Sequence, residues 1–109
     1  MRFRQLADFI AKYNSFIITA HETPDGDAIG SEYAMYRILN SQKKDVLIVN
    51  ADTMSAKYQF IDMDNKITTY NGKKELPDLS TYGMFILDTN DINNIGLVNE
   101  LLPEVAEYF

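Results

Sequence analysis

Apolar residues recur along this chain in two rhythms. Leu6, Phe9, Ile10 and Tyr13 fall at helical spacing, so residues 3 to 14 are predicted to form an amphipathic helix. "FIITA" (16–20) is a short, continuous apolar run with β-branched residues, the pattern of a strand buried on both faces. From Ala28 to Leu39, the positions Ile29, Tyr33, Tyr36, Ile38 and Leu39 mark a second helix, closed by the polar "NSQKK". "DVLIVN" (45–50) and "MFILD" (84–88) are two further buried strands. Between them, "MSAKYQFI" is predicted as a short helix with Tyr58, Phe60 and Ile61 turned inward, and "KITTY" (66–70) is a strand or a link. "NGKKELPDLSTYG" carries Gly and Pro turn chemistry. "IGLVNELLPEV" reads as a last helix, interrupted at Pro103.

Helices and strands therefore alternate. That order predicts an α/β fold, an open and mostly parallel sheet with helices on both faces. The 109 residues contain no repeat, low-complexity tract or linker, and suit one domain. Such sheets bind ligands beyond the C-terminal ends of their strands, where the strand order reverses. Polar residues collect at those ends: His21 after the first strand, Asn50 and Asp52 after the second, Asp88 and Asp91 after the third.

Charge sharpens the question. Sixteen acidic against ten basic residues give a net charge of −6, which argues against a basic nucleic-acid surface. A phosphate ligand would need a local basic patch or a bound metal to approach. The chain has no cysteine, so disulfides and thiolate metal sites are excluded. No apolar stretch reaches membrane-spanning length, and the amphipathic start is no signal peptide. The expectation is a soluble, cytoplasmic protein with no membrane partner.

Taken singly, the acids have ordinary roles. Asp-Gly is turn chemistry, and Asp27 suits the cap of the second helix. Together they ask for more. Asp25, Asp27 and Asp88 with the imidazole of His21 at one rim would repel one another unless cations lay between them. Carboxylates plus one histidine suit Mn²⁺ or Mg²⁺. Asp25 and Asp27 lie at i and i+2, so a tight loop can aim them at two ions, and Asp88 from another strand can bridge both. Two such ions, about 3.5–4 Å apart, clamp a phosphoryl group and activate water for in-line attack. The helix start near Ala28 aims backbone N–H groups at the site for a phosphate oxygen. Ser31 is a candidate phosphate contact, with facing the first helical turn as its alternative. Pro24 fixes the loop, and Gly26 and Gly30 allow close approach of backbone to a ligand or neighbour.

These residues also resemble a known family. "HETPDGDAIGS" (21–31) is similar to the first signature of the DHH phosphoesterases, with His21, Pro24, Asp25, Asp27, Gly30 and Ser31 in place. "FILDTND" (85–91) is similar to that family's second acidic signature. The resemblance implies that His21 and Asp25 hold one metal, Asp27 the other, and that Asp88 bridges them, with Asp27 and Asp88 at the reaction centre. It implies a manganese-dependent hydrolase, a phosphoesterase or phosphodiesterase cleaving short oligonucleotides or small nucleotides. Members include RecJ-like exonucleases, nanoRNases, phosphoadenosine-phosphate phosphatases and cyclic-dinucleotide phosphodiesterases. The Asp-His-His triplet and the C-terminal substrate domain of that family have no counterpart here. On this comparison residues 1–109 form the N-terminal part of the catalytic domain, ending where the next strand begins at "EVAEYF", with weak metal binding and little hydrolysis alone. "MFILD" would then expose an apolar edge through which copies of the chain associate.

Other readings fit less well. A phosphoacceptor receiver domain needs its acceptor aspartate mid-chain and a late lysine, whereas no lysine follows Lys74. A dehalogenase-like phosphotransferase with Asp88 as nucleophile needs an acid where Asn90 stands. "TPDGDAIG" lacks the G-x-G-x-x-G of dinucleotide binding, and "DMDNKITTYNGK" has Ile67 at the glycine position of a calcium loop. A non-catalytic interaction module would leave His21, Asp25, Asp27 and Asp88 scattered.

Overall fold

The computed structural model describes residues 2–89 and 91–109. Asn90, whose identity weighs on the dehalogenase reading, lies outside them. Helix α1 (Arg2–Lys12) leads into β1 (Ser15–Ala20), α2 (Gly26–Ser41) and β2 (Asp45–Asn50). A 3₁₀ turn (Ala56–Tyr58) precedes β3 (Ile67–Thr69), and another (Lys73–Glu75) precedes β4 (Tyr82–Leu87). A longer 3₁₀ run (Ile92–Leu101) then leads to β5 (Glu107–Tyr108).

The five strands form one sheet of order β3-β2-β1-β4-β5, every pair parallel. The fold is thus an open α/β sheet. From β1 the chain crosses to β2 and β3 on one side, then returns to β4 and β5 on the other. The order reverses at the β1–β4 junction, which makes the C-terminal ends of these two strands the ligand-binding crevice of such a sheet. A receiver domain would show the order 2-1-3-4-5 instead.

Alternation along the strands divides the core between the two faces. Phe16, Ile18, Ile48 and Phe85 pack with Phe9 of α1 and with Tyr33, Tyr36 and Leu39 of α2. Ile17, Val49 and Met84 face the other way, onto Leu79, Ile95, Val98 and Leu101. The second face is therefore covered by the 3₁₀ run Ile92–Leu101 and the loop at Leu79 rather than by α-helix. The α1 face is dense with aromatic rings: Phe9 meets Phe16 and Phe85 edge-on at centroid distances of 5.8 and 5.1 Å. Gly83 of β4 lies beneath them. A Cβ there would come within 2.9 Å of both Phe9 Cζ and Phe16 Cε1, so only glycine lets the rings close over the strand.

Several expectations need correction. The last helix is not one α-helix, because Gly96 breaks it with φ of 64° and ψ of −144°. Its left-handed conformation suits glycine, and a Cβ would stand 2.7 Å from that of Ala51. Ile38, placed on the buried stripe of α2, is 49% exposed, because the stripe runs instead through Ala28, Ile29, Glu32, Tyr33, Tyr36 and Leu39. Phe60, expected inside, is 76% exposed: the segment makes only a three-residue 3₁₀ turn, too short to present one continuous apolar face. "MFILD" is not an edge strand either. β5 pairs with Gly83 and Met84, and Ile86 N–H donates to the Phe109 carbonyl at 3.0 Å. β5 is tied to α1 by Glu107, whose Oε1 accepts from Lys12 Nζ at 2.9 Å and from Tyr13 Oη at 2.7 Å.

Candidate metal centre

The loop from β1 to α2 is shaped by its own acids. Asp25, not Asp27, caps α2: its backbone is extended, and its Oδ1 accepts the Ala28 N–H at 2.9 Å. That hydrogen bond, helped by the nearby His21, holds the Asp25 carboxyl below its ordinary pKa. The helix consequently starts two residues before the expected Ala28, and the Ala28 N–H is taken up by the cap. Asp27 sits in the first turn, where an acid complements the helix dipole. Pro24 is buried in the loop. Gly26 lies against the ring of Tyr58, which a Cβ would meet at 3.2 Å, while Gly30 has open space beside it.

Asp88 reaches the same crevice from the opposite strand. It follows β4 directly and adopts φ of 60°, a left-handed conformation that costs energy in any residue with a side chain. His21 Nε2 stands 3.5 Å from Asp88 Oδ2 and 3.8 Å from Asp25 Oδ1. One ligand atom from each of the three lies within 4.8 Å of the others. Donors about 2.1 Å from a single ion stand roughly 3 to 4 Å apart, so this set suits one divalent cation with little rearrangement.

Other rim residues are placed differently. Asp27 is exposed and does not belong to that group among the described residues. Ser31 is exposed, beyond the first turn of α2. Asp52 is exposed, and Asp91 caps the 3₁₀ run, its Oδ1 accepting the Asn93 N–H at 2.9 Å. Asn50 is fully buried rather than on the rim. It hydrogen-bonds Glu32, a buried acid of α2 that the apolar stripe should have exposed as an exception: Glu32 falls on the same face as Ala28, Ile29 and Tyr36.

A groove of about 740 Å³ opens beside β4, with Asp88 and Thr89 at one end and Leu6, Met35, Tyr108 and Phe109 along it. None of its lining side chains is cationic. A phosphate reaching Asp88 therefore meets carboxylate and needs a cation to offset it. No described helix is long and apolar enough to cross a membrane.

No family model matches the chain, and none of the curated proteins matches it. Among solved structures the chain is similar to an exopolyphosphatase-related protein from Bacteroides fragilis, with 24% identity and a TM-score of 0.80. That match covers 91% of this chain but 30% of the other, so the chain spans less than a third of its structural relative's length. The likeness places the fold: an open, all-parallel α/β domain.

Proposed function

We propose that this chain is part of a metal-dependent hydrolase of the DHH phosphoesterase type, acting on phosphoester or phosphoanhydride bonds. The observation that carries the reading is the meeting of His21, Asp25 and Asp88 at the β1–β4 reversal, each within a stretch that resembles a DHH signature. The structural relative's description as exopolyphosphatase-related points to the same broad chemistry.

In this reading His21 and Asp25 hold one divalent cation, Mn²⁺ or Mg²⁺, with Asp88 beside them. Asp27 and the free side of Asp88 serve a second ion. Bound cations would supply the positive charge that a phosphoryl oxygen needs here and would lower the pKa of a water. The chain's own residues do the positioning. The Ala28 N–H holds Asp25 Oδ1, the carboxylate oxygen that stands 3.8 Å from His21 Nε2. The left-handed turn at Asp88 aims its carboxylate across the crevice at His21. Short oligonucleotides and small nucleotide phosphates are the proposed substrates, with Ser31 as a phosphate contact.

The test is Mn²⁺ titration of the metal-free protein, followed by electron paramagnetic resonance and by thermal unfolding. Saturable binding with a matching rise in Tm, lost in Asp88→Ala, is expected. A wild-type protein whose Tm ignores millimolar Mn²⁺ and which leaves the ion free would overturn the reading.

A further inference from the structure

The most buried acid of the chain stands outside the group just described. Glu32 has no exposed surface, although it lies on a helix with a solvent face. Its Oε1 accepts from Asn50 Nδ2 at 2.8 Å. Asn50 Oδ1 in turn accepts the Ala20 N–H at 3.2 Å and the Thr19 hydroxyl at 3.5 Å. The place of this chain of bonds matters. β1 and β2 pair only as far as Ile18 and Ile48, and past that point the Asn50 side chain takes over from the ladder. It accepts the N–H of Ala20, the last residue of β1, directly before His21.

The polarity of the network is fixed from one end. A backbone N–H can only donate, so the Asn50 oxygen must face Ala20 and its NH₂ must face α2. Glu32 then has to accept. A leucine at position 32 would pack on the stripe and avoid burying a carboxyl, but it would leave the Asn50 NH₂ buried and unpaired. Glu32 Oε2 has no partner among the described residues, so this side chain's polar contact is directed at Asn50 alone.

We propose that Glu32 is a positioning residue for the metal centre: acting through Asn50, it fixes the end of β1 at Ala20 and thereby the imidazole of His21. The consequence for metal affinity rests on the function proposed above; the consequence for His21 does not. The test compares Glu32→Ala, Glu32→Gln, Asn50→Ala and the double alanine variant at one neutral pH. His21 is the chain's one histidine, so its imidazole C–H resonances are assigned at once. In metal-free protein they shift in both alanine variants and stay at wild-type positions in Glu32→Gln, whose side-chain oxygen accepts the same bond. Mn²⁺ affinity falls about tenfold in each alanine variant, the usual effect of losing a partner behind a ligand, and no further in the double variant. Glu32→Gln keeps wild-type affinity.

Unmoved His21 resonances in a folded Glu32→Ala, or losses that add in the double variant, overturn the proposal. If Glu32→Ala does not fold, Glu32→Met fills the volume and is judged by the same criteria. If wild-type protein takes up no Mn²⁺, the metal reading falls, and the His21 resonances alone decide whether Glu32 positions it.

Discussion

His21 Nε2 stands 3.5 Å from Asp88 Oδ2, across the C-terminal ends of two neighbouring parallel strands. The contact is available because β1 and β4 are paired along their whole length, from Ser15 with Tyr82 to Ala20 with Leu87. Each next residue, His21 and Asp88, then emerges at the same level of the sheet.

Asp25 and Asp88 both approach His21, and Asp88 does so from a left-handed backbone. Asp88→Asn is expected to abolish the rise in Tm on adding Mn²⁺. Asp88→Gly adds relief of the left-handed backbone and should be the more stable of the two without metal. Paired thermal melts with chelator and with Mn²⁺ check both. At a hundredfold excess over Kd, the ion would stabilise wild type by about 2.7 kcal/mol.

Asp25 has two separable roles, cap and ligand. Asp25→Asn retains an acceptor for the Ala28 N–H and should keep the metal-free Tm near wild type while losing Mn²⁺. Asp25→Ala should lose both. The depressed carboxyl pKa gives a sign as well. Its contribution is present above the ordinary carboxylate value and is lost as pH falls through the depressed one. The gap in Tm between wild type and Asp25→Ala should therefore narrow in strong acid, as melts in a pH series would show.

Glu32 has the opposite sign. Burial, reinforced by the charge of Asp62 and opposed by the Asn50 hydrogen bond, pushes its carboxyl up from 4.5 to about 8. The folded state holds this proton where the unfolded chain releases it. The contribution is complete below pH 4.5 and declines as pH rises to about 8, at about 1.4 kcal/mol per pH unit, then levels off. Glu32→Gln carries no such proton. Its stability relative to wild type should rise between pH 5 and 8, measured by urea unfolding. A parallel pair of curves would exclude a buried, protonated Glu32.

Gly83→Ala tests the aromatic face. The added methyl would meet Phe9, Phe16 and Tyr13 at 2.9 to 3.0 Å, and overpacking of this kind costs about 1–3 kcal/mol. Urea unfolding should show that loss with an unchanged slope. Mn²⁺ binding should persist, since β4 carries Gly83 at the end opposite Asp88.

Local pattern determined much of this protein. The three continuous apolar runs became central strands because a sheet covered on both faces has no polar positions to spare inside it. His21, Asp52 and Asp88, which follow those runs, fell at the C-terminal rim because they come where the strands end, whereas Asn50 turned inward. What the pattern did not decide was which rim residues meet. His21, Asp25 and Asp88 converge because β4 crosses to the far side of β1, a choice made by packing of the whole sheet. Asp27, two residues from Asp25, stays outside their group, since the helix starts at Gly26 and a first-turn side chain leaves the axis in its own direction. The inward face of α2 and the pairing of Glu32 with Asn50 were likewise decided in three dimensions. A buried carboxyl holds its place only where a partner from another element satisfies it, and no local run of residues specifies that partner.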